Sequence, residues 1–150
     1  MLNETIVQLV CFKLGGEEYA FDIMDIQEVV RVQEMTHIPQ LPDFVLGVLN
    51  LRGNIISVFD LRKKLHLPVK PYDNNTKIVV AKVDESIFSM VIDEILENVT
   101  MERSGIDPAP NVKMKISRDC IAGLGALEGR IITILDLGRI HDEIKKELGI

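Results

Sequence analysis

The sequence contains few of the residues from which a catalytic, metal-binding or membrane-spanning protein is built. Its two cysteines and three histidines are scattered, and none has the CxxC or HxxxH spacing of a metal site. No apolar run reaches the roughly 18 residues of a membrane helix. The net charge of −6 is opposite in sign to a nucleic-acid-binding surface. We therefore expect no cofactor, no metal, no nucleic-acid partner and no direct membrane insertion.

Catalytic and targeting motifs are missing as well. The glycine-rich stretch 123–129 differs by one residue from dinucleotide-loop spacing, and a strand pattern follows it where pyrophosphate binding needs a helix. Cys11 and Cys120 each lie in an apolar run, which predicts buried free thiols in a reducing compartment. Met1–Gln8 has neither the basic nor the apolar part of a signal peptide, so a cytoplasmic location is expected.

The chain contains an internal repeat. Residues 47–61, GVLNLRGNIISVFDL, recur without a gap at 123–137 as GLGALEGRIITILDL, at an offset of 76. Seven of the fifteen pairs are identical, among them two glycines and an aspartate. A weaker match joins residues 12–30 to 81–99 at an offset of 69, so an insertion of 7 residues is expected within 104–118. We interpret the pattern as a duplication.

Each copy of the repeat predicts a strand, a tight turn, a second strand and the start of a helix. Gly53 supplies a residue that can take positive φ in the turn. Asp60 and Asp136 stand where helix N-caps belong, and we interpret them as caps, not as catalytic acids. The predicted strands in the rest of the chain are 5–14, 18–22, 28–32, 77–83, 87–91 and 99–103. The predicted short helices or turns are 23–27, 61–66 and 92–96, and the C-terminal helix is 137–148.

These elements predict a mostly β protein of two small five-stranded barrels, with short helices and a C-terminal helix. The turn-rich stretch 68–76 places the boundary between the lobes, so that they span about 5–75 and 76–150. Units of about 70 residues have marginal cores of their own. We therefore expect the lobes to share an apolar interface, and it stays open whether the first strand packs with the other lobe.

Arg52 marks the clearest difference in residue type between the two copies of the repeat. The repeat keeps its neighbours Leu51 and Gly53 but has Glu128 in its place. The fold therefore does not demand an arginine at this turn. Two interpretations stay open: a solvated turn cation, or a directional ligand for a carboxylate or carbonyl of a partner, which suits the guanidinium geometry.

Three runs of the sequence, EEYAFDIMDIQEVV, IPQLPDFVLGVLNLRGNIISVFDLRKKL and GLGALEGRIITILDL, resemble the CheW family of bacterial chemotaxis coupling proteins. The related regulatory domain of the chemotaxis histidine kinase CheA carries the same NLRG run. The resemblance covers about residues 9–140, and the 150 residues include no kinase, phosphotransfer or receiver segment. It implies a single CheW-like domain over 1–150 with two intertwined SH3-like lobes. The implied role is a cytoplasmic adaptor that joins the tips of methyl-accepting chemoreceptors to the regulatory domain of CheA.

The resemblance also implies two sets of contact residues. A receptor hairpin would lie in an apolar groove between the lobes, on Ile23, Ile26, Glu28, Val29, Arg52, Ser89 and Ile95. Kinase contacts would come from the end of a barrel, at Asp43, Phe44 and Gly47. Ile26 and Val29 could equally be core residues. Two other functions stay open: an enzyme or ligand sensor with its site between the lobes, and a stand-alone kinase-regulatory-like domain that acts as a sensor or assembly module.

Overall fold

The computed structural model describes residues 5–108 and 116–149, which form a mostly β protein. Its strands are β1 (Ile6–Leu14), β2 (Glu17–Asp22), β3 (Ile26–Arg31), β4 (Val45–Leu51), β5 (Asn54–Asp60), β6 (Lys77–Val83), β7 (Ser86–Ile92), β8 (Glu94–Glu102), β9 (Ile106–Asp107), β10 (Ile121–Leu127) and β11 (Arg130–Leu135). Its helices are α1 (Leu61–Lys64) and α2 (Leu137–Leu148), with 3-10 turns at Ile23–Asp25, Arg103–Gly105 and Arg118–Cys120.

The strands form two sheets, which are the two SH3-like lobes. We call the sheet β3-β6-β7-β5-β4 the contiguous lobe, because it spans residues 26–92 without a break. We call the sheet β8-β1-β2-β11-β10-β9 the split lobe, because it combines the first hairpin with the end of the chain. The predicted fold class is confirmed, and the split lobe adds a sixth strand, the two-residue β9.

The two sheets do not follow the lobe bounds predicted from the sequence, 5–75 and 76–150. Each copy of the repeat gives its first hairpin to the other copy. The third strand of the first copy, β3, pairs with β6, and its counterpart β8 pairs with β1. The hairpins are then fixed by parallel pairing of β5 with β7 and of β11 with β2. The predicted bounds therefore describe the repeat in sequence and not the sheets.

A large apolar cluster, the shared core, lies between the lobes. The split lobe contributes Phe12 and Phe21, and the contiguous lobe contributes Phe59 and Phe88. The apolar face of α2 closes this cluster with its buried residues Leu137, Ile140 and Ile144. Each lobe has a smaller interior cluster of its own. The expected apolar interface is therefore present.

At two positions of the repeat, close contacts with a neighbouring segment leave no room for a side chain larger than that of glycine. A Cβ on Gly47 would lie 2.1 Å from the carbonyl oxygen of Thr36, which pairs with Val48 across β4. A Cβ on Gly123, at the equivalent position, would lie 2.7 Å from Ile106 and 2.9 Å from the carbonyl oxygen of Asp107. In each copy a short segment crosses the start of the repeated hairpin at this point, so the glycines are kept for packing.

The predicted helix starts agree with the structure, but α1 ends at Lys64 and not at residue 66, and the turn predicted at 23–27 is a 3-10 turn at Ile23–Asp25. The side chain of Asp60 accepts a hydrogen bond from the backbone N–H of Lys63, and that of Asp136 accepts one from Arg139, so both are N-caps. α2 has the predicted bounds. The predicted turn at 92–96 is wrong, because β8 begins at Glu94 and pairs along β1 from there. The expected insertion lies within 104–118, of which 109–115 falls outside the described residues.

Candidate partner-binding surfaces

The predicted receptor-binding residues do not share one surface. Side chains alternate between the two faces of a strand. On β3, Val29 pairs with Val79, which belongs to the shared core. Its neighbour Glu28 pairs with Val80, which belongs to the interior cluster of the contiguous lobe. Glu28 and Val29 therefore face different sides of the sheet and serve different surfaces.

The first surface lies along the outermost strands of the two sheets, β3 and β8. Ile26 on β3 and Ile95 on β8 are equivalent positions of the repeat, 69 residues apart, and both are half-buried against the shared core. Val29 shares a face with Ile26 because a β-bulge lies between Ile26 and Glu28, and its side chain is 37% exposed. Ile26 thus belongs partly to the core, whereas Val29 is an exposed apolar side chain. We call Ile26, Val29 and Ile95 the interlobe groove residues, because the resemblance implies a groove between the lobes at these positions.

The second surface is one end of the contiguous lobe, which we call the lobe mouth. Arg52, in the β4–β5 turn, forms an ion pair with Glu28, and their side chains are 67% and 26% exposed. Ile55 and Ile87 lie beside the pair and are 68% and 41% exposed. Together these residues line a depression of about 250 Å³. Arg52 is therefore an exposed but ion-paired cation, and its partner Glu28 lies on β3, the strand at the opposite edge of the sheet from β4.

The equivalent end of the split lobe is closed by a three-residue ion-pair network. Arg130 donates to Glu18 (Nη2 to Oε1, 2.7 Å) and to Glu97 (Nη1 to Oε1, 2.7 Å). Glu97 is the repeat equivalent of Glu28, but Arg130 is the equivalent of Asn54 and not of Arg52. Both copies thus keep the glutamate and hold it with an arginine from a different turn position. Since the contiguous lobe has Ile87 where the split lobe has its repeat equivalent Glu18, the lobe mouth of the contiguous lobe is more apolar.

Several predicted contact residues are not at a surface. Ser89 is fully buried, and its hydroxyl donates to the carbonyl of Ser57 over 2.8 Å, so its side chain cannot contact a partner. Phe44 packs in the shared core, and Gly47 is pressed against Thr36. Asp43 alone of the predicted kinase contacts is exposed.

Ile23 lies half-buried in a 3-10 turn, beside Met24, whose side chain is almost wholly exposed. Sequence reasoning missed Met24, and it missed Ile55 and Ile87 of the lobe mouth. For Ile55 a signal was present. Ile55 and Ile56 are adjacent on one strand, so only one of them can point into the lobe. Ile56 is buried and Ile55 is exposed.

Two buried thiols and a carboxylate beside a depression have raised pKa values. Cys11 and Cys120 are free and buried. Burial raises the pKa of both thiols to about 11, so they are protonated near neutral pH. A depression of about 420 Å³ in the split lobe is lined mainly by apolar side chains, with Asp22, Asp25, Asp136 and Arg103 as its charged residues. Burial raises the pKa of Asp25, and the nearby carboxylates Asp22 and Asp136 add to this. Among the described residues no cluster of His, Cys, Asp and Glu could hold a metal.

Comparisons with known proteins agree on one family. A family model described as CheW-like domain matches residues 8–145. The chain is 33% identical to chemotaxis protein CheW of Helicobacter pylori, over 97% of this chain and 86% of that protein. It is 33% identical to chemotaxis protein CheW of Klebsiella aerogenes, over 93% and 85%. The crystal structure of scaffolding protein TtCheW from Thermoanaerobacter tengcongensis matches with a TM-score of 0.82 and 29% identity, over 87% of this chain and 88% of that one. No helix in the described ranges is long and apolar enough to cross a membrane.

Proposed function

This chain belongs to the CheW-like domain family, and from that premise we propose that it is a non-catalytic adaptor that couples chemoreceptors to the histidine kinase CheA. The observation that carries the proposal is the pair of separate surfaces, one between the lobes and one at the lobe mouth, on a fold with no catalytic constellation among its described residues. An adaptor needs two surfaces that two partners can occupy at once. We place it in the cytoplasm, held at receptor arrays by its partners.

We assign the interlobe groove to the cytoplasmic tip of a methyl-accepting chemoreceptor. A helical hairpin buries an apolar stripe, and Ile26, Val29 and Ile95 offer an apolar surface of matching character. The two isoleucines are equivalent in the repeat, so the groove presents similar apolar positions from both lobes. Val29 has no apolar counterpart in the second copy, where Asn98 takes its place.

The groove assignment is tested by Val29→Asp, with Asn98→Asp as the matched control on the equivalent position of β8. Val29→Asp should weaken binding of a receptor cytoplasmic fragment by about 2 kcal/mol, as expected for a central apolar contact. Asn98→Asp should leave that binding unchanged. Equal affinities for the two variants and the unaltered chain would remove the groove from the receptor contact.

The resemblance places Glu28 and Arg52 among the receptor contacts. Because Glu28 faces a different side of the sheet from Val29, we propose instead that the lobe mouth binds the regulatory domain of CheA. Exposed Ile55 and Ile87 supply the apolar centre, and the Arg52–Glu28 pair supplies a charged rim. The arginine of the pair is 67% exposed, so the pair contributes little to stability, about 0–1 kcal/mol. Its arginine is therefore available to meet a partner's carboxylate or carbonyl without a large cost to the fold.

The assignment is tested by reversing the charge of Arg52 and then restoring the pair. Arg52→Glu should lower stability by about 1 kcal/mol or less and weaken kinase-domain binding by about 2 kcal/mol. The double variant Arg52→Glu, Glu28→Arg should regain stability but not binding, because the guanidinium then stands on the other strand. The control Glu128→Arg should change neither.

Two outcomes would count against this reading of the lobe mouth. If the double variant regains binding together with stability, Arg52 acts only by supporting the fold. If Arg52→Glu impairs binding of the receptor fragment and spares that of the kinase domain, the lobe mouth belongs to the receptor contact.

A further inference from the structure

The C-terminal helix is tied to the contiguous lobe by a buried lysine. Lys64, on α1, has a side chain that is only 2% exposed. Its Nζ lies 2.7 Å from Oε1 of Glu143 and 2.8 Å from Oε1 of Glu147, both on α2. The same ammonium lies 5.4 Å from the centre of the Phe44 ring. Since α2 follows directly from β11 of the split lobe, this contact joins the two lobes.

A second cation of α1 makes another contact across the junction. Arg62 forms a two-pronged ion pair with Asp93, with Nε 2.8 Å from Oδ1. Oδ2 of Asp93 also accepts the backbone N–H of Gly15 over 2.9 Å, and the N–H of Asp93 donates to the carbonyl of Lys13 over 3.2 Å. Lys13 and Gly15 belong to the first hairpin, in the split lobe. One short helix is therefore held to the split lobe at two points.

The repeat shows that these cations are not required to build a lobe. The second-copy equivalents of Arg62 and Lys64 are Gly138 and Ile140. Ile140 fills its place in the shared core with an apolar side chain. A buried ion pair adds little net stability compared with an apolar pair of similar volume, but it is directional. The ion pair therefore acts mainly by fixing the position of α1 relative to α2.

We propose that Lys64 and Arg62 are positioning residues that set the angle between the lobes and so hold the interlobe groove in the shape that a partner binds. Within the described residues the chain passes between the sheets only at 22–26 and 92–94. The apolar contacts of the shared core are non-directional. The two ion-pair contacts of α1 are directional and restrict the angle between the lobes. The effect on partner binding rests on the function proposed above, whereas the effect on lobe geometry does not.

The experiment replaces Lys64 by Met, which keeps an unbranched apolar stem in the buried site. Glu143 and Glu147 are each about two-fifths exposed, so they can be solvated when the lysine is lost. The matched control is Lys63→Met on the same helix, since the Lys63 side chain makes no ion pair among the described residues. Spin labels at exposed Lys82→Cys and Thr100→Cys report the distance between the lobes. The native thiols are buried with pKa values of about 11 and will label slowly.

Lys64→Met should broaden the interlobe distance distribution and leave the melting temperature within a few degrees, whereas Lys63→Met should change neither. The dissociation constant for a receptor cytoplasmic fragment should rise roughly five- to tenfold in Lys64→Met, because a smaller fraction of molecules has the binding-competent angle. If Lys64→Met melts early, Glu147→Gln is the milder variant, since it removes one charge and leaves the lysine paired with Glu143.

An unchanged distance distribution in Lys64→Met would overturn the proposal. So would a broadened distribution with unchanged receptor affinity, since the angle would then not control binding. If the unaltered chain binds no receptor fragment at all, the proposed function fails. The label distances still decide in that case whether Lys64 sets the lobe angle.

Discussion

Gly47 should be far less tolerant of substitution than its repeat partner Gly123. In Gly47→Ala the new Cβ would lie 2.1 Å from the carbonyl oxygen of Thr36, 0.9 Å inside the 3.0 Å below which real Cβ contacts essentially do not occur. The opposing atom is backbone, so no rotamer change relieves the overlap. The φ of Gly47 is +147°, which strains any L-residue as well.

The loss of stability in Gly47→Ala can be worked out from the contacts that break when the segment at Thr36 moves away from β4. Thr36 and Val48 exchange two hydrogen bonds, Thr36 N–H to Val48 O at 2.8 Å and Val48 N–H to Thr36 O at 2.9 Å. Separating the strands by about an ångström breaks both, at about 1 kcal/mol each, and the backbone strain adds about 1–3 kcal/mol. In Gly123→Ala the nearest atoms lie at 2.7 and 2.9 Å, and the first of them belongs to the Ile106 side chain. We expect about 3–5 kcal/mol for Gly47→Ala and at least 1 kcal/mol less for Gly123→Ala.

The assay is urea unfolding of both variants beside the unaltered chain, followed by kinase-domain binding at a temperature where each is folded. Gly47 was predicted from the sequence as a kinase contact. We expect folded Gly47→Ala protein to bind the kinase domain normally, since Gly47 is buried and its substitution acts through stability. A Gly47→Ala protein as stable as Gly123→Ala would refute the steric argument. A stable protein that no longer binds the kinase domain would restore Gly47 as a direct contact.

Two further predictions concern the junction of the lobes. Cleavage between Asn74 and Asn75 should leave halves that do not fold alone but reassociate when mixed, as followed by circular dichroism, because each sheet takes strands from both halves; a half that folds cooperatively by itself would contradict this. On acidification, the melting temperature should fall as the pH drops below about 4. The pKa of Glu143 is lowered by its hydrogen bond with Lys64. Burial raises the pKa of Asp93, but the hydrogen bonds from Arg62 and Gly15 outweigh burial, so its pKa is lowered overall. Both contributions to stability are therefore present above the ordinary carboxyl pKa and lost as the pH falls through the folded values, and Lys64→Met should make this acid loss smaller.

Much of the local structure could be predicted because it depends on short-range signals. The caps at Asp60 and Asp136 and the bounds of α2 follow from side-chain chemistry and helical spacing within one segment. The exchange of hairpins could not be predicted in this way. β1 and β6 are equivalent strands with similar apolar patterns, so nothing local tells β3 which of them to pair with. That choice depends on the length and path of the connections.

The candidate site was predictable in part for a similar reason. Alternation along β3 was enough to place Glu28 and Val29 on opposite faces, and to separate the groove from the lobe mouth. The partner of Arg52 could not be predicted without the sheet, since Glu28 lies 24 residues earlier on β3, which is not paired with β4 or β5 but meets their turn from the opposite edge of the sheet. Nothing in the sequence around Lys64 predicts that its side chain is buried and ion-paired. A lysine in a four-residue helix is ordinarily solvated, and its burial depends on α2, nearly 80 residues later.

The two turn residues Arg52 and Glu128 allow the worth of the Arg52–Glu28 pair to be measured directly. Both have φ of +51°, a left-handed conformation that costs a non-glycine residue about 1 kcal/mol and that asparagine tolerates. Glu128→Asn should therefore stabilise the chain by about 0.5–1 kcal/mol, since Glu128 has no ion-pair partner among the described residues. Arg52→Asn relieves the same strain but loses the pair, so its net gain should be smaller by the energy of the pair, about 0–1 kcal/mol. If Arg52→Asn is as stable as Glu128→Asn and still binds the kinase domain normally, the arginine contributes neither to the fold nor to the partner. A smaller gain with lost binding would show that a strained turn position is occupied by arginine for the sake of the interface.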